Sequence, residues 1–207
     1  MGQLTIFSAN DGMSSFLNTS GHAWIAFKNT YYQTIRIGGI TVSPYGMATV
    51  GTFGNIEAHL GIWYNIESYY MNLYEDYDPY PNRVSITIPV TQSQVDTIND
   101  IISNNDAWTA TNNCSSFATK VWNAVSSTDL SAGFPNTPTS LRQSIIATGA
   151  YETEKPISSH SAVGYVSGGI FHSYFSRSTR NISGFTDLPV VFMGNLPDDL
   201  NSNGIAS

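Results

Sequence analysis

The chain has 207 residues, 41% of them hydrophobic, enough for one sizeable core, and only 11% charged. A net charge of −7 and only 8 Lys and Arg residues, with no basic run, argue against a surface that tracks nucleic-acid phosphates and against a polybasic membrane anchor. No apolar run approaches the roughly 20 residues of a membrane-spanning helix, and a lone cysteine excludes an internal disulfide or a Cys-cluster zinc site.

The first part of the chain is β-rich. QLTIF forms a first strand. GHAWIAF, residues 21–27, alternates small or polar with bulky residues, and YYQTIRI follows after the break KNT, so the two segments are expected to pair as a hairpin. Residues 40–55 mix loop and short strand around Pro44 and several glycines. Residues 61–80, GIWYNIESYYMNLYEDYDPY, are aromatic-rich and fit neither helix nor strand cleanly. RVSITIPV, residues 83–90, is the clearest strand.

Three helices follow. In TQSQVDTINDIISNND, Thr91 is the N-cap, and Val95, Ile98, Ile101 and Ile102 recur at helical spacing. A second helix begins near Cys114 after Asn112 and Asn113, with Phe117, Ala118, Val121, Trp122 and Val125 on one face. A third covers PTSLRQSIIATGAY, with Thr139 as cap and Leu141, Ile145 and Ile146 inside. ETEKPISSHSAVGYVSGG is expected to be linker or loop, and IFHSYFSRS and PVVFMGNL to be strands. The fold class is α+β: one domain over residues 1–151 with an antiparallel sheet packed against the Cys helix, and a C-terminal extension, 152–207, on the same domain.

Cys114 carries the chemistry. In the first turn of a helix a thiolate faces unpaired backbone N–H groups and the positive end of the helix dipole, and the same N–H groups can cradle an oxyanion. Against this stands the ordinary use of Cys as a small buried apolar residue. A nucleophilic thiol needs a proton acceptor. Of His22, His59, His160 and His172, His22 is best placed, because it opens a strand after a glycine that permits close approach. Asn113, His59 and Trp63 are the candidate substrate contacts. Residues 50–65 form a candidate lid or cleft wall in which Phe53, Trp63 and Tyr64 would stack on a ligand, although aromatic residues in β-rich domains are more often core. The four histidines lack close metal-ligand spacing, so no metal and no cofactor is expected.

Minor features read more plainly. Glu75, Asp76 and Asp78 mark a solvated turn. The tail around Asp199, Asn201, Asn203 and Gly204 opens like a calcium loop but stops before the terminal acid. Asn18-Thr19-Ser20 and Asn181-Ile182-Ser183 match a glycosylation pattern that is frequent by chance. The Ser-, Thr-, Asn- and Gly-rich surface suggests an exported protein, although MGQLTIFSAND lacks the basic and apolar regions of a secretory signal.

The pair GHAWIAF … NNCSSFATKVWNAV resembles the circularly permuted papain-like superfamily, which includes NlpC-like and lecithin:retinol acyltransferase-like proteins. There the His strand precedes the Cys helix, as His22 precedes Cys114 here, and an Asn-Cys pair is followed by small or polar residues and an aromatic, as at Asn113 to Phe117. The resemblance spans roughly residues 20–126, including the strand-helix lead-in SITIPVTQSQVDTINDII. It implies a cysteine hydrolase in which His22 deprotonates Cys114. It also implies a polar residue on the strand after the His strand, to orient the imidazole. The sequence offers Gln33 or Thr34 there, and ungapped spacing favours Thr34. The expected substrate is a peptide or cell-wall peptide amide. The alternatives are lipid acyl transfer or phospholipid hydrolysis on the same scaffold, or a binding module for glycan or protein with a degraded site.

Overall fold

The computed structural model describes residues 2–10, 21–73, 78–157 and 162–174. All of them fall within the compact unit Met1–Phe175. The expectations for Asn18, Glu75, Asp76, His160, the PVVFMGNL strand, the Asn181 pattern and the tail lie outside the described residues.

The elements run β1 (Gly2–Ala9), β2 (His22–Asn29), β3 (Ile35–Ile37), β4 (Ile40–Val42), β5 (Met47–Phe53), β6 (Gly61–Tyr64), α1 (Ile66–Leu73) and β7 (Val84–Val90). Then come α2 (Gln92–Ser103), α3 (Cys114–Val125), α4 (Pro138–Ala147), β8 (Glu152–Thr153), β9 (Gly164–Ser167) and β10 (Ile170–Ser173). Eight strands form one sheet in the order β10-β9-β6-β5-β2-β1-β7-β8, paired antiparallel throughout. The protein is thus a mixed α+β fold built on an antiparallel sheet. Residues 152–173, expected as linker and strand, supply β8 to one edge of this sheet and β9 and β10 to the other.

Both faces of the central strands are covered. Leu4, Ile6, Ala23, Ile25, Phe27 and Val50 pack with Val95 and Ile98 of α2, Phe117 and Val121 of α3, and Leu141 and Ile145 of α4. Phe7, Trp24, Ala26 and Trp63 pack on the opposite face with Ile66 and Tyr70 of α1 and with Tyr80. The alternation of β2 therefore divides two apolar sets between two layers rather than separating a core face from a wet one. Full burial of a side chain such as Ile25 contributes about 1.5–3 kcal/mol, which commits the register of β2 strongly.

The expected hairpin between GHAWIAF and YYQTIRI does not form. β2 pairs with β1 and β5, while β3 pairs only with β4 in a separate two-stranded sheet. The cause is Asn29, buried at the end of β2. Its amide donates to the carbonyls of Gln33, Val42 and Ser43 at 2.7, 3.3 and 3.0 Å. These bonds fold residues 30–43 out as their own ribbon and return the chain to β2 as β5.

Helix starts follow their caps. Thr91 and Gln94 form a reciprocal capping box at α2. At α4 the cap is Thr137, not Thr139. Pro138 lacks an N–H and so suits the first helical position, and Thr137 accepts from the Ser140 N–H. The unassigned aromatic segment resolves into β6 and α1, separated by Asn65 at φ 60°.

Candidate active site

His22 is the first residue of β2 and Cys114 the first of α3. Two local features set them there. Gly21 has φ 114°, and a Cβ at that position would lie 2.4 Å from the Ala9 carbonyl oxygen, so only glycine lets the chain enter β2 beside β1. Asn113 is the N-cap of α3, in extended backbone, and its side-chain oxygen accepts from Ser116 N–H at 3.0 Å. Its amide group donates to Asn136 O at 2.9 Å and reaches Ala110 O at 3.4 Å. The Asn113 side chain is thus spent on holding the helix start and the loops on either side of it. The N–H groups of Cys114 and Ser115 remain in the first turn, aimed away from the helix.

Cys114 and His22 lie close enough to influence each other's ionisation, and the thiol also meets the Ser115 hydroxyl at 3.9 Å. The second partner of His22 is Glu67, whose Oε1 lies 2.9 Å from Nε2. Nε2 is thus engaged by the carboxylate. Glu67 is fully buried and stands in the first turn of α1, where a carboxylate also meets the favourable end of the helix dipole. Its Oε2 accepts from the Thr49 hydroxyl at 2.5 Å. Aromatic rings wall the imidazole in: Phe53, Trp24 and Tyr80 lie at centroid distances of 4.4, 5.3 and 5.8 Å. Gly51 leaves the space that the pair occupies, since a Cβ there would sit 2.5 Å from Glu67 Oε1 and 3.2 Å from His22 Nε2.

The electrostatics follow from this packing. Burial penalises an imidazolium, but the hydrogen bonds and charges of Cys114 and Glu67 outweigh it and raise His22 from 6.5 to about 9. Burial likewise pushes the Cys114 thiol up. The hydrogen bond and charge of His22, the Ala23 backbone N–H and the Ser115 hydroxyl outweigh that, so the thiol lies below its ordinary value. The residue as a whole is half-buried. An ionised sulfur can attack a carbonyl carbon, and the charged imidazole beside it can then protonate the leaving group.

Other expected site residues lie elsewhere. Thr34 is exposed in the bend before β3, and the place of an orienting partner on His22 is taken by Glu67. Gln33 is also exposed, and its carbonyl serves Asn29. His59 pairs with Asp106 at 2.7 Å and stacks on Tyr165 at 4.5 Å. Trp63 is fully buried, with its indole N–H on the His59 carbonyl, and Phe53 and Tyr64 are buried with it. Residues 50–65 therefore supply core strands and a connecting turn rather than a stacking lid. Asp78 pairs with Arg83 and accepts from Tyr80 N–H at 2.7 Å. A cavity of about 280 Å³ lies apart from the thiol, lined by Arg36, Tyr64, Ile102, Asp106 and Val166 among others. No group of three or more His, Cys, Asp or Glu that could hold a metal occurs among the described residues.

Sequence reading missed Glu67. Its signal was present: among residues 58–70 it is the one carboxylate, set between Ile66 and Ser68 in an aromatic-rich stretch. A carboxylate in such a stretch is seldom buried without a partner.

Comparison with family models, curated proteins and solved structures yields no match.

Proposed function

We propose that this chain is a cysteine hydrolase of the permuted papain-like type, acting on an amide bond of a peptide or cell-wall peptide. The observation that carries the reading is the thiol at the start of α3 next to a buried imidazole that is itself anchored on a buried carboxylate. Supporting it are the order of the elements, with the His strand before the Cys helix, and the antiparallel sheet against which that helix packs.

In this mechanism His22 holds the proton from Cys114, and the thiolate attacks the substrate carbonyl carbon. The N–H groups of Cys114 and Ser115 receive the oxyanion. His22 then protonates the departing amine, leaving an acyl-enzyme on sulfur. Water, deprotonated by the same imidazole, releases the acid and restores the thiol. Glu67 fixes the ring and stabilises its charged form, as the third member of such a set does elsewhere. The binding-module alternative drew its force from the lack of an orienting partner, and Glu67 removes that argument. Among the described residues no helix is long and apolar enough to cross a membrane. The sequence, with no apolar run approaching membrane-spanning length, favours an amide over a lipid substrate.

The test pairs wild type with Cys114→Ala on peptide amides, wall peptides and phospholipid vesicles. Amide hydrolysis is expected to fall by more than about a thousandfold in the variant, and equal rates in the two would remove Cys114 from the reaction. The pH dependence sharpens the test. The acid limb should lie below the ordinary thiol value, because protonation of a lowered Cys114 silences the nucleophile. Hydrolysis should decline again near pH 9, as His22 loses the proton owed to the leaving group. Alkylation by iodoacetamide needs only the thiolate, so it should show the acid limb and no alkaline decline.

A further inference from the structure

We infer that the Thr49 hydroxyl is a positioning group of this site: it fixes the plane of the Glu67 carboxylate, and through it the His22 ring. The inference rests on the reading of Cys114 and His22 as a reactive pair. Thr49 is fully buried on β5, two residues before Gly51, so the two share one face of the sheet. Its side chain donates to Glu67 Oε2 at 2.5 Å, while His22 holds Oε1 at 2.9 Å. An ionised carboxylate only accepts hydrogen bonds, so the Thr49 hydroxyl is the donor.

A glutamate held by one oxygen alone would turn freely, because its last torsion has broad, shallow wells. Two donors from two strands, β2 and β5, remove that freedom. The backbone of Thr49 adds a second constraint. Its N–H donates to Asn65 Oδ1 at 3.0 Å, and its carbonyl accepts from Asn65 N–H at 3.0 Å. Asn65 sits at φ 60° immediately before α1, and its amide donates to Ala162 O at 2.7 Å. One residue of β5 thus sets both where the helix carrying Glu67 begins and how its carboxylate lies. Gly51 leaves the space into which that carboxylate projects.

The structure makes Thr49 specific in a way that packing alone would not. Valine has the same branched shape and loses only the hydroxyl; serine keeps the hydroxyl and loses a methyl group. The test compares Thr49→Val and Thr49→Ser with wild type, reading the pH profile of Cys114 alkylation by iodoacetamide and the rate of amide hydrolysis. The ionisable groups that shape that profile are Cys114 from α3, Glu67 from α1, His22 itself and Tyr80 from the segment before β7.

Thr49→Val should shift the acid limb upward by about one pH unit, which lowers alkylation by about tenfold at pH values on that limb. Thr49→Ser should stay within about twofold of wild type, well inside that tenfold change. In a Glu67→Gln background Thr49→Val should add nothing, because residues that act as one unit do not add. If Thr49→Val does not fold, Thr49→Ala takes its place with the same expectations. An unmoved profile in the variant lacking the hydroxyl overturns the role of Thr49 while leaving the Cys114–His22 reading intact. So does an equal loss in Thr49→Ser. An ordinary thiol profile in wild type overturns that reading and this inference together.

Discussion

His22 and His59 hold carboxylates in nearly the same way, at 2.9 Å to Glu67 and 2.7 Å to Asp106, each through Nε2. Each pair also lies against a glycine of the sheet: a Cβ at Gly51 would meet Glu67 Oε1, and a Cβ at Gly61 would meet Asp106 Oδ1 at 2.4 Å. The surroundings differ. Side-chain exposure is 7% and 0% for His22 and Glu67, against 15% and 35% for His59 and Asp106. The ionisation of His22 is influenced by the Cys114 thiol, whereas the His59 ring is stacked on Tyr165, which is stacked in turn on His172 at 4.9 Å. Asp106 also ties down the Ile62 N–H at 2.8 Å, a bond that joins the loop before α3 to β6. A histidine paired with a carboxylate is therefore not by itself a catalytic device. Under the proposed function, burial and the nearby thiol are what set the His22 pair apart.

The sharpest way to break this comparison is to neutralise each acid in turn. If the proposed function holds, Glu67→Gln should reduce amide hydrolysis on the order of a hundredfold or more, because the imidazolium loses a buried charged partner. Asp106→Asn should leave hydrolysis within about twofold. Its effect on stability should be about 1 kcal/mol or less, since the pair is partly solvated. Steady-state rates and thermal melts on both variants check this. A large loss of activity in Asp106→Asn would make the second pair part of the reaction and erase the distinction drawn here.

The glycines give a smaller, paired test. Gly51→Ala and Gly61→Ala each push a methyl group against a carboxylate oxygen, and each overpacking should cost about 1–3 kcal/mol. If the proposed function holds, only Gly51→Ala should lose activity out of proportion to stability, because only there does the displaced carboxylate hold His22. Equal residual activity in two variants of equal melting temperature would count against the placement of Glu67.

The local placement of Cys114 and His22 is legible in the sequence, for reasons that can be named. Cys114 follows a cap residue and precedes an apolar helical face, and those local rules place it in the first turn. His22 follows a glycine and opens an alternating segment, which places it at a strand end. What local rules could not supply was the order of strands in space. The residue expected to orient His22 was sought on the next strand in the chain. In the sheet the next strand is β5, because Asn29 folds β3 and β4 out of the way. The actual partner arrives two elements later, on a helix hidden in a segment whose aromatic content masked both the strand Gly61–Tyr64 and the helix Ile66–Leu73. The α4 cap was misplaced for a smaller reason: the proline that defines the first helical position was counted inside the helix rather than used to locate Thr137.

The smallest expected effect belongs to Thr34, and it isolates the strand-order argument. Thr34 is exposed ahead of a ribbon that pairs only with itself. Thr34→Val should change stability by no more than about 0.5 kcal/mol, as surface substitutions generally do. It should leave both the hydrolysis rate and the pH profile of Cys114 alkylation where they are in wild type. Glu67→Gln, measured in the same assay, supplies the contrasting loss. A fall in Thr34→Val as deep as that in Glu67→Gln would mean that the residues after the His strand reach the imidazole in the working protein. The ribbon would then have to fold back onto β2, against the three hydrogen bonds by which Asn29 holds it away.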